Sequence, residues 1–179
     1  MEHRTRLHLL IAVLLAASAA QARVFLTQQQ ALAGAFGAGV KITRKAIFLT
    51  PEQIRVAKKE SGVDFSDAMI VRYTGSSAAG VPVGYAYFDT HRVRTLPETV
   101  MVVVGADGTI TKVEILSFDE PPDYFPKPRW IDQFRGRKLD GELSLHGKVR
   151  PISGASLSGR AIMNASRKIL AIHEAIGVK

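Results

Sequence analysis

The residues best placed to do chemistry stand together near the C-terminus: Pro151, Ile152, Ser153, Gly154, Ala155, Ser156, Leu157, Ser158 and Gly159. Three hydroxyls and two glycines directly precede a long helical pattern. A helix N-terminus offers free backbone N–H groups and the positive end of the helix dipole to an anion, so this stretch is a candidate phosphate seat. Two other readings stand beside it. Serines at a helix start also cap the helix or close a turn with no ligand present. A serine in a strand-turn-helix elbow is a nucleophile. Here, however, the final glycine of the elbow is displaced to Gly159, and the partner acid and base would have to come from the last 23 residues. His173 and Glu174 lie there in the helix itself, several turns from Ser156.

The helix that follows is the clearest element of the chain. Ile162, Ala165, Ile169, Ile172 and Ile176 recur at three and four residues, with Arg160, Asn164, Arg167, Lys168 and Glu174 off that stripe and Gly177 at its end. Ser156 or Ser158 is placed to cap its start. Upstream, runs at 68–74, 83–89, 99–104 and 109–116 predict four strands, the last two forming a hairpin around Gly105-Ala106-Asp107-Gly108. Four prolines keep 117–130 a loop, whose Tyr124, Phe125 and Trp130 either pack beneath it or present rings to a flat ligand. Near the N-terminus, Thr27 and Thr50 with Pro51 start two short helices, ended by Gly37 with Gly39 and by Ser61-Gly62. The class this predicts is α+β: a mainly antiparallel sheet packed with helices.

Composition narrows the function. The chain has 179 residues and 46% hydrophobic content, enough for one good core. Residues 1–22 read as a signal peptide: Arg4 and Arg6, an apolar run over 7–20, then the small-x-small site Ala20-Gln21-Ala22. An uncleaved membrane anchor is the less favoured reading, because the run is shorter than the ~20 apolar residues of a spanning helix. Zero cysteines exclude disulfides, thiolate metal sites, iron–sulfur clusters and covalent c-type haem. The net charge is +8; without the leader, 22 basic residues still face 15 acidic ones. The basic residues are spread along the chain instead of forming a reading helix, and export argues further against nucleic acid. His91, His146 and His173 share no metal-ligand spacing, and Asp64 and Asp67 form no calcium loop, so no metal is assigned.

Taken in order, several segments resemble one family. Ser153-Gly154-Ala155-Ser156-Leu157-Ser158 resembles the S-G-A-T-x-S/T signature of FMN-binding domains, among them the periplasmic flavoprotein subunits of sodium-pumping NADH:quinone reductase and of Rnf-type electron-transport complexes. Gly84-Tyr85-Ala86-Tyr87-Phe88 is similar to the family's glycine-aromatic strand, and 99–116 to its hairpin. Asp119-Glu120-Pro121-Pro122 resembles its E-T-P-G segment, and residues 130–136 its W-x-x-Q-F-x-G turn. The resemblance implies FMN joined by a phosphoester to Ser156, installed by a flavin transferase that uses FAD. Ser153, Gly154, Ala155, Leu157 and Ser158 then complete the phosphate loop, and Glu120 shapes the flavin environment. Two positions depart from the pattern. Arg150 stands where the signature usually has aspartate, and Ser156 replaces threonine. Arg150 beside the phosphate would fit a non-covalently held flavin.

The resulting expectation is a signal peptide at 1–22, an N-terminal helical layer at 23–66 and an FMN-binding domain at 67–179. The function expected is electron transfer by an exported, periplasmic flavoprotein, serving as a redox carrier or as a subunit of a membrane-associated electron-transport complex with redox partner proteins. The alternative is a flavin-free interaction or sensor module of the same fold.

Overall fold

The computed structural model describes residues 24–177; the expected signal peptide lies outside the described residues. A five-stranded, wholly antiparallel sheet runs in the order β1-β2-β3-β4-β5. Its strands are β1 (Lys41–Phe48), β2 (Met69–Ser76), β3 (Pro82–Arg92), β4 (Pro97–Gly105) and β5 (Ile110–Phe118). Helices α1 (Gln28–Phe36), α2 (Pro51–Ser61), the single turn α3 (Pro128–Ile131) and α4 (Ser156–Ala175) complete the α+β fold.

Local signals set the helix ends. Thr27 with Gln30 and Thr50 with Gln53 form full capping boxes, and Gly62 closes α2 at φ 68°, in the left-handed region that favours glycine. The hairpin forms as expected, with Asp107 Oδ1 accepting from the Thr109 amide at 3.0 Å and from its hydroxyl at 2.8 Å.

The sheet has one strand more than the four expected. The sequence hides β1 because it is an edge strand whose residues are nearly all exposed on both faces, so no alternation of apolar and polar residues marks it. Its Lys41, Arg44 and Lys45 are the charges that keep an open edge from pairing with another chain. The segment expected as a helical layer therefore contains a strand, and its two helices separate. On one face, α1 covers Ala86, Met101, Val103 and Leu116 with Ala31 and Leu32. On the other, α4 packs Ile162, Ala165, Ile169 and Leu170 onto Tyr85, Tyr87, Val100, Val102 and Val104, while α2 packs against α4 through Ala57, Ala171 and Ile172. Along β3, Tyr85 and Tyr87 therefore pack under α4 while Ala86 and Phe88 pack on the α1 side, so helices cover both faces of the sheet. Each fully buried Ile or Leu of α4 contributes roughly 1.5–3 kcal/mol.

Long polar side chains tie these layers together. The Arg167 guanidinium donates to the carbonyls of Ser61 at 2.7 Å, Asp140 at 2.8 Å, Leu143 at 2.9 Å and Glu60 at 3.2 Å. It thereby satisfies the last carbonyls of α2, where a cation also meets the negative end of the helix. Among the described residues no helix is long and apolar enough to cross a membrane.

Candidate functional site

The serine loop runs directly into α4. Gly154, at φ +82°, makes the turn that a residue with a Cβ would strain. The helix then begins at Ser156, with Ala155 as its N-cap and no side-chain cap bond. The expectation that Ser156 or Ser158 caps α4 is therefore corrected: both lie inside the first turn, one position or more too late for a cap. With no cap, the first-turn N–H groups have no intrahelical acceptor and remain available to an anion.

The three serines differ in surroundings. Ser153 and Ser156 are exposed, and Ser156 Oγ makes only a long 3.5 Å contact with the carbonyl of Ile152. Ser158 is buried, and its hydroxyl has no hydrogen-bond partner among the described residues. A buried hydroxyl without a partner costs about 1–3 kcal/mol, a penalty that a ligand oxygen at this loop would remove. Leu157, by contrast, is 42% exposed.

Two supports hold the loop in place. Trp130 Nε1 donates to the Arg150 carbonyl at 2.6 Å, and Gln133 Oε1 accepts from the Arg150 amide at 3.0 Å, so the W-x-x-Q turn grips the stretch of chain just before the loop. Trp130 reaches α4 because Gly159 has no side chain: a Cβ there would stand 3.3 Å from the indole. Glu120 supplies the second support. Its Oε1 accepts from the backbone N–H groups of Arg94, Thr95 and Leu96 at 3.0, 2.9 and 3.0 Å, and these bonds, the Leu96 one foremost, hold its carboxyl below the usual glutamate range.

The consequence of the Glu120 cradle is a site residue that sequence reasoning does not single out. The turn it fixes presents Arg94, whose guanidinium lies 5.2 Å over the Tyr124 ring. Arg94 and Tyr124 line one cleft of about 190 Å³ with Gly154, Ala155, Ser156, Leu157 and Ser158. Arg150, the expected phosphate partner, is exposed and does not line this cleft; its backbone is what the site uses. Glu120 likewise acts through the turn it holds. Of the three loop aromatics, Phe125 packs edge-on against Phe25 and Phe118, Trp130 braces the loop against Phe134, and Tyr124 faces the cleft. The only sequence signal for Arg94 is its place among scattered basic residues.

A larger cavity of about 430 Å³ lies elsewhere, where pairing of β2 with β3 stops at Arg72 and Tyr87. Its walls include Asp89 and Lys168, members of a largely buried charge cluster, and the exposed Asp67. His91 bonds Asp89 through Nδ1 and Glu98 through Nε2, both at 2.9 Å, and Lys168 pairs with Asp89 and with Asp67. Burial opposes the charged imidazole, but its two carboxylate partners outweigh burial and raise His91 to about 9. Burial also raises the Glu98 carboxyl, against the pull of His91. His173 is the reverse case: burial, with Arg72 nearby, lowers it to about 4, and it shares a 2.8 Å hydrogen bond with the Tyr87 hydroxyl. His91 is thus a charge partner and His173 a core member.

Fold and site together define a class: an α+β domain with an uncapped helix N-terminus, a cation and a partnerless buried hydroxyl gathered around one exposed serine. Residues 96–171 match the sequence model of the FMN-binding domain family, and the chain carries an FMN-binding domain there. No curated protein matches the chain. The matched stretch contains Glu120, Arg150 and the whole serine loop; Arg94 falls two residues before it, and the 84–88 strand lies outside it. The residues present fit the cofactor. First-turn N–H groups, the Ser158 hydroxyl and Arg94 suit the phosphate, and Tyr124 with Leu157 offers apolar surface to a ring.

Proposed function

We propose that this FMN-binding protein is an exported electron-transfer protein whose flavin is joined through a phosphoester to Ser156 by a flavin transferase that uses FAD. The observation that carries this reading is the position of Ser156: an exposed hydroxyl in the first turn of an uncapped helix, at the edge of a cleft that also holds Arg94 and the Ser158 hydroxyl. The cleft, about 190 Å³, is smaller than the roughly 300 Å³ and more of pockets that enclose a whole ligand. A flavin seated there keeps much of its surface in solvent. Such a shelf holds its cofactor weakly by contacts alone, and a covalent link prevents its loss outside the cytoplasm. It also leaves an edge open for electron exchange, while the flavin itself supplies the one- and two-electron chemistry. The leader pattern at 1–22 supports export, and the openness of the cleft supports a redox carrier or chain subunit over an enzyme with a substrate pocket of its own.

The test is co-expression of the full chain with a flavin transferase, followed by denaturing electrophoresis. Flavin fluorescence should travel with the protein band, vanish in Ser156→Ala and persist in Ser158→Ala. A yellow native protein that releases FMN on denaturation would assign a non-covalent site. A colourless protein would leave the flavin-free module as the reading.

A further inference from the structure

Ahead of α1, Val24, Phe25 and Leu26 run along the outer edge of β5, the last strand of the sheet. Val24 forms an antiparallel bridge with Ser117, and the amides of Phe25 and Leu26 both donate to the Leu116 carbonyl, at 2.8 and 3.3 Å. These are main-chain bonds, which most residues could make; the ring is what distinguishes Phe25. Although 48% exposed, it stands edge-on to Phe125 with ring centroids 5.2 Å apart. Phe125 also meets Phe118 edge-on at 5.3 Å. Phe118 is buried in the core and Phe125 is half-buried, so the core supplies one ring partner of Phe125 and the N-terminal strap supplies the other.

The residue before Phe125 is Tyr124, the aromatic wall of the serine-loop cleft. Tyr124 has two anchors. The first is Arg94, whose guanidinium lies 5.2 Å over its ring and whose turn Glu120 fixes. The second is Phe125, joined to it by a tight turn in which the Tyr124 amide donates to the Pro121 carbonyl and the Phe125 amide to the Pro122 carbonyl, both at 3.0 Å. A turn so short and doubly bonded shifts as a unit, so a displaced Phe125 ring carries Tyr124 with it.

We infer that Phe25 is a positioning residue for the flavin site: through Phe125 it sets where Tyr124 presents its ring to a flavin in the cleft. This rests on the flavoprotein reading above. Phe25 does not itself line the cleft, and like Arg94 it lies outside the stretch 96–171 that matches the FMN-binding domain. The site is thus completed by chain that precedes that stretch, one piece supplying a cation and the other bracing an aromatic wall.

The test compares the full chain, co-expressed with a flavin transferase, with its Phe25→Ala and Phe25→Tyr variants. A phenol in contact with an isoalloxazine ring quenches its fluorescence, so the yield per bound flavin reads the position of Tyr124, which a change in global stability alone does not move. An edge-on aromatic pair is strong enough to change a docked population roughly two- to tenfold. In Phe25→Ala the yield per bound flavin should therefore rise at least about twofold, while Phe25→Tyr, which keeps the ring, should match the parent. An unchanged yield in Phe25→Ala, or a rise that Phe25→Tyr shares, would overturn the positioning role. With Tyr124→Phe as the parent the difference should vanish; a difference that persists would overturn Tyr124 as the intermediary. Hydrogen exchange on the flavin-free chain separates failure of this inference from failure of the flavin reading. The Tyr124 and Phe125 amides should exchange about two- to tenfold faster in Phe25→Ala, and unchanged exchange would overturn the brace whether or not flavin binds. A colourless parent whose Phe25→Ala variant exchanges faster would uphold the brace and overturn its flavin role, together with the reading on which that role rests.

Discussion

The Lys168 cluster and the serine loop sit on the same helix, about 18 Å apart along its axis at ~1.5 Å per residue, and they treat charge in contrary ways. In the cluster, Lys168, His91, Asp89 and Glu98 are largely withdrawn from water, and each cation meets at least one carboxylate. Buried charges survive only when compensated in this way. At the loop, the helix has no cap, and among the described residues the Ser158 hydroxyl has no partner and Arg94, the cation lining the cleft, forms no ion pair. The cluster uses most of its polar capacity internally, to hold β3, β4 and α4 together, although Glu98 Oε1 has no hydrogen-bond partner among the described residues. The loop leaves its capacity open, and that open capacity marks the functional end.

The contrast between cluster and loop disappears if the cluster is not a compensated unit. His91→Leu leaves Glu98 without its counter-charge and should lower unfolding free energy by about 3–5 kcal/mol, read from urea titrations. A change under ~1 kcal/mol would remove the distinction between the two regions.

The pH dependence tests the same cluster with no mutation. His91 is raised from 6.5 to about 9, so the folded state binds more protons than the unfolded chain between those values. Its contribution is complete below pH 6.5 and is lost as pH rises through 9. His173 is lowered from 6.5 to about 4, so the unfolded chain binds more protons in that interval. Its contribution is complete above pH 6.5 and is lost as pH falls toward 4. Together they place a maximum near pH 6.5, with a decline on the order of 3 kcal/mol on either side, since each pH unit separating the folded and unfolded pKa values is worth about 1.4 kcal/mol. His173→Gln should flatten the acidic side between 6.5 and 4 and leave the alkaline side unchanged.

Glu120 is the carboxylate at the loop end that is committed to structure. Glu120→Ala strands three backbone N–H groups and should cost about 2 kcal/mol, with a parallel loss of flavin per mole of protein as Arg94 leaves the cleft. A stability loss with normal flavin loading would separate the turn from the site. The smallest effect is expected at Ser158. Removing a partnerless buried hydroxyl should leave the flavin-free protein unchanged or up to ~1 kcal/mol more stable, while the rise in Tm on flavin loading shrinks. A destabilised flavin-free Ser158→Ala protein would show that the hydroxyl already has a structural use.

Much of the fold was legible in the sequence because its signals are local. Capping boxes at Thr27 and Thr50 join residues three apart, the Asp107-Gly108 hairpin closes within a few residues, and the apolar stripe of α4 repeats every turn. The serine loop was recognisable for the same reason, since its residues are contiguous. β1 left no trace because an edge strand exposed on both faces needs no apolar pattern. Lys168 lies off the apolar stripe of its helix, yet it is drawn into the cluster by Asp67 and Asp89, about 100 and 79 positions away in the chain.

Local signals along the chain set α1, α2 and α4 and most of the strands, and place a hydroxyl-rich loop at the start of the last helix, whereas the single turn α3 begins in a segment whose prolines read as loop. Tertiary structure decided which cation faces that loop. Arg150 is its neighbour in the chain, but the cleft holds Arg94, more than 50 positions from Gly154, because Glu120 fixes the turn after β3 beside the start of α4. Propensity and spacing act over a few residues, whereas electrostatic partners are set by which distant segments the sheet and the helix bring together.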